Sequence, residues 1–413
     1  MNYIKESLQT VLRAFTAQMR VVLHDEGITL FLIFLPLVYP ILYSLIYNPE
    51  LVREVKAVVV DHDRTPSSRE LVRRLNASQY VDIIGYAADM PEARKAVDSH
   101  KCYGIFEIPE GFQRKTVNGE GSELVAYSEM SLLLRYRGLL TAATDVAMDY
   151  GAEIREETIN RSIPIAGTVV TGDGMGVNSI FMGNIESGFD SFVMPGVLIL
   201  ILQQCFILAV GMAGGARYEY PRQMGFNPMA RRPHTLARMI GEVLCFFAIS
   251  LLPTVWLIHY VPMIFSFPVA GDIWQELLFI MPLTLGSILL GFVLQGVVYQ
   301  REQVFVIWVV TSLAFLFLSG LTWPRFAMSE GWQIVGGLVP ATWGVEGFIL
   351  MNTNGSTLTQ VEPMYIRLWV LVGLYLVVGY AIQRWRVLPM LRRRTVLLEG
   401  TAQDAVDSTA SED

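Results

Sequence analysis

Six long apolar runs dominate the pattern of the chain. A helix crosses the hydrocarbon core of a bilayer with roughly 20 apolar residues. Runs of that length predict transmembrane helices at Ile28–Tyr47, Phe192–Gly215, Met239–Tyr260, Leu277–Tyr299, Val304–Trp323 and Leu368–Trp385. The first run is not a signal peptide, because it is long, starts late and lacks a small-residue cleavage site. The pattern predicts an α-helical polytopic membrane protein with six spans, the first in residues 25–48 and the other five in residues 191–388.

A helical period precedes the first span. Within residues 1–24, apolar residues such as Leu8 and Phe15 recur on one face, while Lys5 and Arg13 occupy the other. This spacing predicts an amphipathic helix lying in the membrane interface. A helix packed on the rest of its own protein would show the same pattern.

Residues 49–190 have the pattern of a folded domain inserted between the first two spans. Strands are predicted at 55–63, 81–87, 103–108 and 123–128, and helices around Leu71 and Leu75, at 90–99 and at 131–160. Ser67 or Ser68 is expected to cap the first of these helices. Alternating strands and helices predict a mixed α/β domain whose last helix is a long stalk.

The first strand of this insert ends in three consecutive polar residues, Asp61, His62 and Asp63. They suggest a metal or catalytic cluster. No second His, Cys or Glu cluster with ligand spacing accompanies them, so a polar turn followed by a helix cap is the preferred interpretation.

Charge is unevenly distributed and orients the spans. Only 17% of residues are charged and the net charge is −7, against roughly 25% charged residues in a typical soluble domain. Basic residues cluster before the first span, in residues 217–238, at Arg301 and in residues 384–394, which reach into the C-terminal segment 389–413. Residues 261–276 have none, and the loop after span five has only Arg325, with Arg367 at its far edge. Because basic loops stay cytoplasmic, both termini are expected in the cytoplasm of a bacterium and residues 49–190 outside its inner membrane. The end of the chain is acidic and is expected to be a disordered tail.

No enzyme motif accompanies these spans. The hydrolase elbow, the zinc-protease motif, the redox dithiol and the phosphate-binding loop are all absent, as each requires a spacing that the chain lacks. The cysteines likewise lack ligand spacing, so no metal site is predicted. Any ATP-driven work is therefore expected to use a partner chain.

Polar residues inside the spans are candidates for function, since they are costly in a bilayer. Gln203, Gln204 and Gln295 are of this kind, although hydrogen bonding between helices is the ordinary alternative. Glu242 follows Arg238 by one helical turn, and we expect an ion pair between them.

The cytoplasmic segment 216–236 is long and dense for a membrane loop. Its charged and aromatic residues include Arg217, Tyr218, Glu219, Arg222 and Phe226. Arginine and aromatic side chains together favour docking to another protein. Contact of Arg231 and Arg232 with anionic lipid is the alternative.

An apolar but interrupted segment follows the fifth span. Residues 325–348 are broken by Gly331, Gly336, Gly337 and Pro340. The segment is too broken for a span and too apolar for a free loop, which favours a re-entrant hairpin covered by protein or lining a water-filled cavity.

Around the hairpin the sequence resembles a known family, the permease subunits of type-2 ABC transporters of the exporter branch. The residues that carry the resemblance are Ser319, Gly320, Trp323, Pro324, Met328, Trp332, Pro340, Thr342, Glu346 and Gly347. FVMPGVLIL at the start of span two is a second match, and Arg217 and Glu219 stand where the family has its coupling helix. The family's Gly-Thr step after the acidic residue is absent here. The large insert is similar to that of a drug-exporter-like subgroup, which often works with a periplasmic membrane fusion protein.

The resemblance implies a dimer of permease chains, identical or different, each bound to a cytoplasmic ABC ATPase that holds ATP and magnesium. It implies no cofactor on this chain and no nucleic-acid partner. Coupling to the ATPase would use Arg217, Tyr218, Glu219, Arg222 and Phe226. The translocation path would be lined or flanked by Gln203, Gln204, Gln295 and Phe315. The outer gate would comprise Ser319, Gly320, Pro324, Phe326, Met328, Trp332, Pro340, Trp343 and Glu346.

Three other classes of membrane protein are weighed against the exporter. A sensor with an outer ligand-binding domain should carry a cytoplasmic signalling domain. An intramembrane enzyme should pair acid, base or metal groups within the spans, and Glu242 alone does not suffice. A secondary transporter should show internal repeats and charged mid-span residues. The exporter permease is the preferred prediction, with an unassigned substrate.

Overall fold

The computed structural model describes residues 2–47, 52–118, 122–129, 132–162, 189–219 and 234–396. These fall into two compact units. One comprises Met1–Asn48 with Phe181–Asp413, and the other Pro49–Ile180. Because the second unit interrupts the first, the apolar helices of the first come from both ends of the chain.

Six helices of the first unit are long and apolar enough to cross a membrane, counted within the described ranges. Spans one to six are Glu26–Ile46, Ser191–Glu219, Thr235–Phe265, Ile273–Leu294, Arg301–Leu318 and Glu362–Val396. Each overlaps the apolar run that predicts it, because hydropathy along a helix is a local property of the sequence. A bent pair of helices would raise the number to seven if it counted as one span.

Span two is the centre of this unit. Its apolar window is 89% buried, whereas that of span five is only 6% buried. Spans one, four and five and the helix after the hairpin bend all pack on span two. A helix that is apolar all round suits such a central position. Span five leaves most of its apolar surface uncovered within this chain.

The bent pair consists of α6, Glu330–Gly337, and α7, Pro340–Asn354, which meet at 90°. Pro340 stands at the start of α7, where its missing N–H is harmless and where it cannot continue α6. Gly347 of α7 faces the ring of Phe279 in span four, and a Cβ there would lie 2.2 Å from the ring. The predicted break at residues 325–348 is therefore present, and its second helix extends to Asn354.

The N-terminal helix α1, Asn2–His24, packs along span three. Its Gln18 and Val22 are buried, while Leu8 and Leu12 are exposed. One face thus contacts protein and another presents apolar side chains outward. Packing on the protein, one of the two sequence interpretations, is therefore present, and placement in the membrane interface stays a prediction.

The inserted unit contains a four-stranded sheet of order β2-β1-β3-β4. Its strands are β1 Val55–Asp61, β2 Val81–Tyr86, β3 Gly104–Ile108 and β4 Val125–Ser128, and its helices are α2 Pro66–Ala77, α3 Met90–Asp98, α4 Phe112–Val117 and α5 Leu133–Ser162. β1 pairs in parallel with both neighbours, and β4 runs antiparallel to β3. This mixed pairing is one of the two arrangements, mixed or parallel, that the alternation of strands and helices predicts.

Two layers of helices cover this sheet. Leu71 of α2, Phe112 of α4 and Leu139 of α5 join one face in a single apolar cluster. Ala93 of α3 packs on the other face, beside the buried Cys102. Burial raises the pKa of the Cys102 thiol, because an apolar environment disfavours the thiolate.

The polar residues after β1 form a turn and a helix cap, as preferred from the sequence. Asp61 accepts hydrogen bonds from the backbone of Asp63 and from the Ser68 hydroxyl. The predicted cap was misplaced, because Thr65 is the N-cap of α2 and Ser68 returns a bond to its backbone in a capping box. The extended backbone of Thr65 before Pro66 explains this, since a residue before proline avoids the helical region.

Asp63 ties β1 to the start of α4. Its carboxylate accepts hydrogen bonds from the backbone N–H groups of Gly111, at 2.8 Å, and Gln113, at 3.0 Å. Burial alone would raise the pKa of Asp63, but these bonds and the Thr65 hydroxyl bring the pKa below its ordinary value. The carboxylate fills the position that an external anion would take at this helix end.

Candidate functional site

A mostly apolar cavity of about 610 Å³ opens between spans one, two and five. Its walls include Leu35 and Tyr39 of span one, Val197 and Gln204 of span two, and Trp308 of span five. A volume of this size falls in the range of small-molecule sites. The cavity adjoins span five, the helix whose apolar surface this chain leaves uncovered.

Gln204 is the polar group that distinguishes this cavity. Both atoms of its side-chain amide are buried and find no hydrogen-bond partner among the described residues. The indole N–H of Trp308 is likewise buried and has no hydrogen-bond partner among the described residues. Buried polar groups are normally paired, so these two residues of the cavity lining stand out by their unpaired buried groups.

Gln203, the preceding residue, bonds to the backbone of α7 instead. Its Oε1 accepts a hydrogen bond of 2.7 Å from the backbone N–H of Ala341, in the first turn of α7. The first N–H groups of a helix lack partners within the helix. Gln203 thus caps α7 from the middle of span two and fixes the hairpin bend to the central helix.

A stack of three side chains holds the hairpin on its other side. The guanidinium carbons of Arg325 and Arg367 lie 4.0 and 4.2 Å from the ring of Trp343. Arg325 also pairs with Glu346 at 3.1 Å, and the Trp343 indole donates to the carbonyl of Gly337. Cation–π contacts of this kind stabilise a fixed orientation. Arg367 belongs to span six, so the hairpin is fastened to spans two and six.

The predicted gate residues are distributed over this hairpin. Ser319 is buried, and Gly320 adopts a left-handed backbone with φ +87° that lets the chain turn after span five. Phe326 and Trp332 are exposed. Pro340, Trp343 and Glu346 are packed or paired as described, whereas Pro324 and Met328 flank a short 3₁₀ turn.

The end of span two and the start of span three share a buried charge cluster. Glu242 accepts bonds of 2.9 Å from both Arg217 and Arg238. Arg217 also donates to Gln18 of α1 at 2.6 Å. The predicted pair of Glu242 with Arg238 is confirmed, and Arg217 is an additional partner that the local sequence does not reveal.

A second charge cluster joins span two to spans one and five. Arg301 pairs with Asp25 at 2.8 Å and with Glu219 at 3.4 Å, and its backbone N–H donates to Glu219. Glu219 therefore stands at the N-terminus of span five, where a negative charge is favoured by the helix dipole. The end of span two is linked electrostatically to three neighbouring elements.

The residues predicted for coupling therefore act inside the protein where they are described. Arg217 and Tyr218 are buried, and Tyr218 packs against Tyr299. Their role in coupling to an ATPase stays a prediction. Arg222 and Phe226 lie outside the described residues.

The structure does not bring all the predicted path residues together. Gln204 lines the cavity, but Gln295 donates to the carbonyl of Val210 and accepts from Gln383, away from it. Phe315 packs on the apolar core. Interhelical hydrogen bonding, the alternative considered for these glutamines, describes Gln203 and Gln295.

Sequence reasoning missed several residues of the site. Tyr39 and Tyr43 line the cavity one helical turn apart, and Trp308 and Thr322 lie on its far wall. The i, i+4 spacing of the tyrosines was the available signal. Among the described residues, no group of three His, Cys, Asp or Glu side chains could hold a metal ion.

Six helices of the described ranges, long and apolar enough to cross a membrane and with a cavity between three of them, define a polytopic membrane protein. A family model described as ABC-2 family transporter protein matches residues 27–381. The chain therefore belongs to the ABC-2 transporter family, and its resemblance to ABC permeases is confirmed. No curated protein matches the chain.

Proposed function

We propose that this chain is the transmembrane permease subunit of an ATP-driven exporter in a bacterial inner membrane. Two permease chains would pair, and a separate ABC ATPase would bind each on the cytoplasmic side. The family membership supports a transporter role and generally implies an ATPase and a dimer. The basic loops support cytoplasmic termini, since positive residues are retained on that side.

The observation that carries this proposal is the cavity between spans one, two and five. Its lining is mostly apolar, and its lining residues Gln204 and Trp308 carry buried hydrogen-bonding groups with no partner among the described residues. An apolar substrate with at least one polar group matches this lining, because it would satisfy the buried amide while burying its own surface. The uncovered face of span five, next to the cavity, supports pairing with a second chain there.

The charge clusters suggest how an ATPase would act on this cavity. Force applied by an ATPase near the end of span two would pull on Arg217 and Glu219. Arg217 would pass the motion to span three through Glu242, and Glu219 would pass it to span five through Arg301. Displacement of spans two and five would change the cavity that they enclose.

Purification in mild detergent tests the proposal. An ATP-binding chain should co-purify, and vesicles containing the complex should move a fluorescent amphiphile only with ATP. Gln204→Leu should change amphiphile-stimulated ATP hydrolysis. Thr254→Val is the matched control, because its buried hydroxyl also lacks a partner in the described structure but lies outside the cavity. A complex with no ATP-binding chain and no ATP-dependent transport would refute the proposal.

We further propose that residues 49–190 lie outside the membrane and serve the exit of substrate, either by shaping it or by docking a membrane fusion protein. The charge distribution supports this side, and the insert has its own sheet and core. Ser99→Cys, at an exposed position, should react with an impermeant maleimide added to intact spheroplasts. Deletion of residues 55–160 without loss of export would argue against a role in exit.

A further inference from the structure

A second cavity, of about 490 Å³, lies between the end of span three and the start of span four. We call it the three–four cavity. Met263 and Phe267 contribute apolar wall, and Asp272 and Glu276 contribute carboxylates. It shares no lining residue with the cavity between spans one, two and five. A molecule bound there would therefore occupy a different site from the proposed substrate cavity.

Glu276 is the unusual member of this lining. The residue is only 1% exposed. Its Oε1 accepts one hydrogen bond, 3.2 Å long, from the Asn352 amide, and Glu276 forms no ion pair with a basic residue anywhere in the described ranges. A buried carboxylate without a cation is costly, and proteins normally pair it. A cationic partner is missing from this part of the chain.

The residues around Glu276 leave space for its side-chain carboxylate. Gly271 lies so close that a Cβ there would be 2.3 Å from Glu276 Oε1, so any other residue would collide with the carboxylate. Asn352 is itself buried, and its carbonyl holds the same loop by accepting from Ala270 N–H. The carboxylate is thus held in place against the cavity by groups on two sides.

The charged and titratable side chains that line the cavity are two carboxylates, Asp272 and Glu276, and one histidine, His259. Asp272 is the N-cap of span four and lies one helical turn before Glu276, so both acidic groups occupy the same side of the helix start. A helix N-terminus favours negative charge. The loop from residue 261 to residue 276 has no Lys or Arg. No group of three metal-ligating side chains exists in the described structure, which favours an organic cation over a metal ion.

We propose that the three–four cavity binds an alkylammonium group. The ammonium would sit on the Glu276 carboxylate, and its alkyl part would lie along Met263 and Phe267. The volume admits a small amine or the headgroup of an aminophospholipid, but not a whole lipid. Both sources present the same chemistry to the carboxylate.

The experiment uses the full chain with two probes. In detergent, n-butylammonium chloride is titrated while thermal unfolding is followed, with n-butanol and sodium chloride as controls for the alkyl chain and for salt. In nanodiscs, native mass spectrometry counts phosphatidylethanolamine retained on the protein, with phosphatidylglycerol as the comparison lipid. A saturable effect of n-butylammonium alone assigns a free amine, and selective retention of phosphatidylethanolamine assigns a lipid headgroup.

Glu276→Gln keeps the shape of the side chain and removes its charge. It should weaken binding of the responding probe by about tenfold or more, as expected for a lost charge-assisted hydrogen bond. Glu362→Gln is the matched control, because Glu362 is an exposed carboxylate in the first turn of span six, and it should leave binding unchanged.

A second variant keeps the proposal testable if Glu276→Gln fails to fold. Met263 is 71% exposed and lines the cavity, so Met263→Lys should fold and place a tethered ammonium at the carboxylate. It should abolish binding of both probes. If neither probe binds, or if Glu276→Gln and Met263→Lys both bind like the wild type, the proposal is wrong and Glu276 is only the structural partner of Asn352.

Discussion

Removal of Glu242 is the sharpest test of the buried charge cluster at the end of span two and the start of span three. Arg217 is 5% exposed and Glu242 is 6% exposed, and their charged atoms are 2.9 Å apart. In Glu242→Leu, Arg217 would keep only the Gln18 side chain as a described partner. Its charge would then be buried without compensation.

The expected loss follows from that geometry. Removing one partner of a buried ion pair costs about 3–5 kcal/mol, which is about two to four powers of ten in the unfolding equilibrium. The double variant Arg217→Met, Glu242→Leu should recover most of this loss, since two apolar side chains can replace a buried pair at little cost. The remaining Arg238 is partly exposed and can reach water.

Unfolding in mixed micelles of dodecyl maltoside and sodium dodecyl sulfate, followed by helical circular dichroism, measures these differences. Glu346→Gln is the matched control, because Glu346 pairs with Arg325 but its side chain is 40% exposed. An exposed pair contributes about 0–1 kcal/mol. If Glu242→Leu cost no more than Glu346→Gln, or if the double variant were no better than the single one, the cluster would be hydrated and the reasoning refuted.

Two further predictions concern a close helix contact and a surface charge. Gly347→Ala should destabilise the bundle by about 1–3 kcal/mol, because its methyl group would overpack against the Phe279 ring. Gly373→Ala is the control, since its new methyl group would meet nothing within 4 Å, and it should be nearly neutral in the same micelle assay. Hydrogen bonds from Arg73 and Arg74 lower the pKa of Glu70 from 4.5 to about 2, so the stabilisation of α2 should be complete above pH 4.5 and should fall as the pH drops from 4.5 toward 2. Hydrogen exchange of α2, corrected for intrinsic rates, should therefore be faster at pH 3 than at pH 5 in the wild type. Glu70→Gln should lose that difference. An equal difference in both proteins would contradict the stabilisation of α2 by the Glu70 carboxylate.

The spans were predictable because a bilayer-length apolar run is visible in the sequence itself. Their ends were not. Span four begins at Ile273 rather than Leu277, because Asp272 caps it and Glu276 is accommodated in its first turn. Span six likewise begins at Glu362, before its apolar run. A hydropathy pattern ends at the first charge, whereas a helix continues until its backbone loses partners.

The candidate site was predictable only where the relevant signal was local. The pair of Glu242 with Arg238 follows from i, i+4 spacing, and the hairpin break follows from glycine and proline. The partners Gln18 and Arg217 are 199 positions apart, and the stack on Trp343 draws on two separate helices. Contacts between residues so far apart leave no periodic trace in a single sequence.

The neighbouring residues Gln203 and Gln204 give span two a property that neither has alone. Successive side chains of an α-helix point about 100° apart, so one glutamine holds the hairpin while the next faces the cavity. A turn of span two large enough to withdraw Gln204 from a guest would also carry Gln203 away from Ala341. Release of the guest and loosening of the hairpin would then follow from the same rotation of span two, so the two events would occur together.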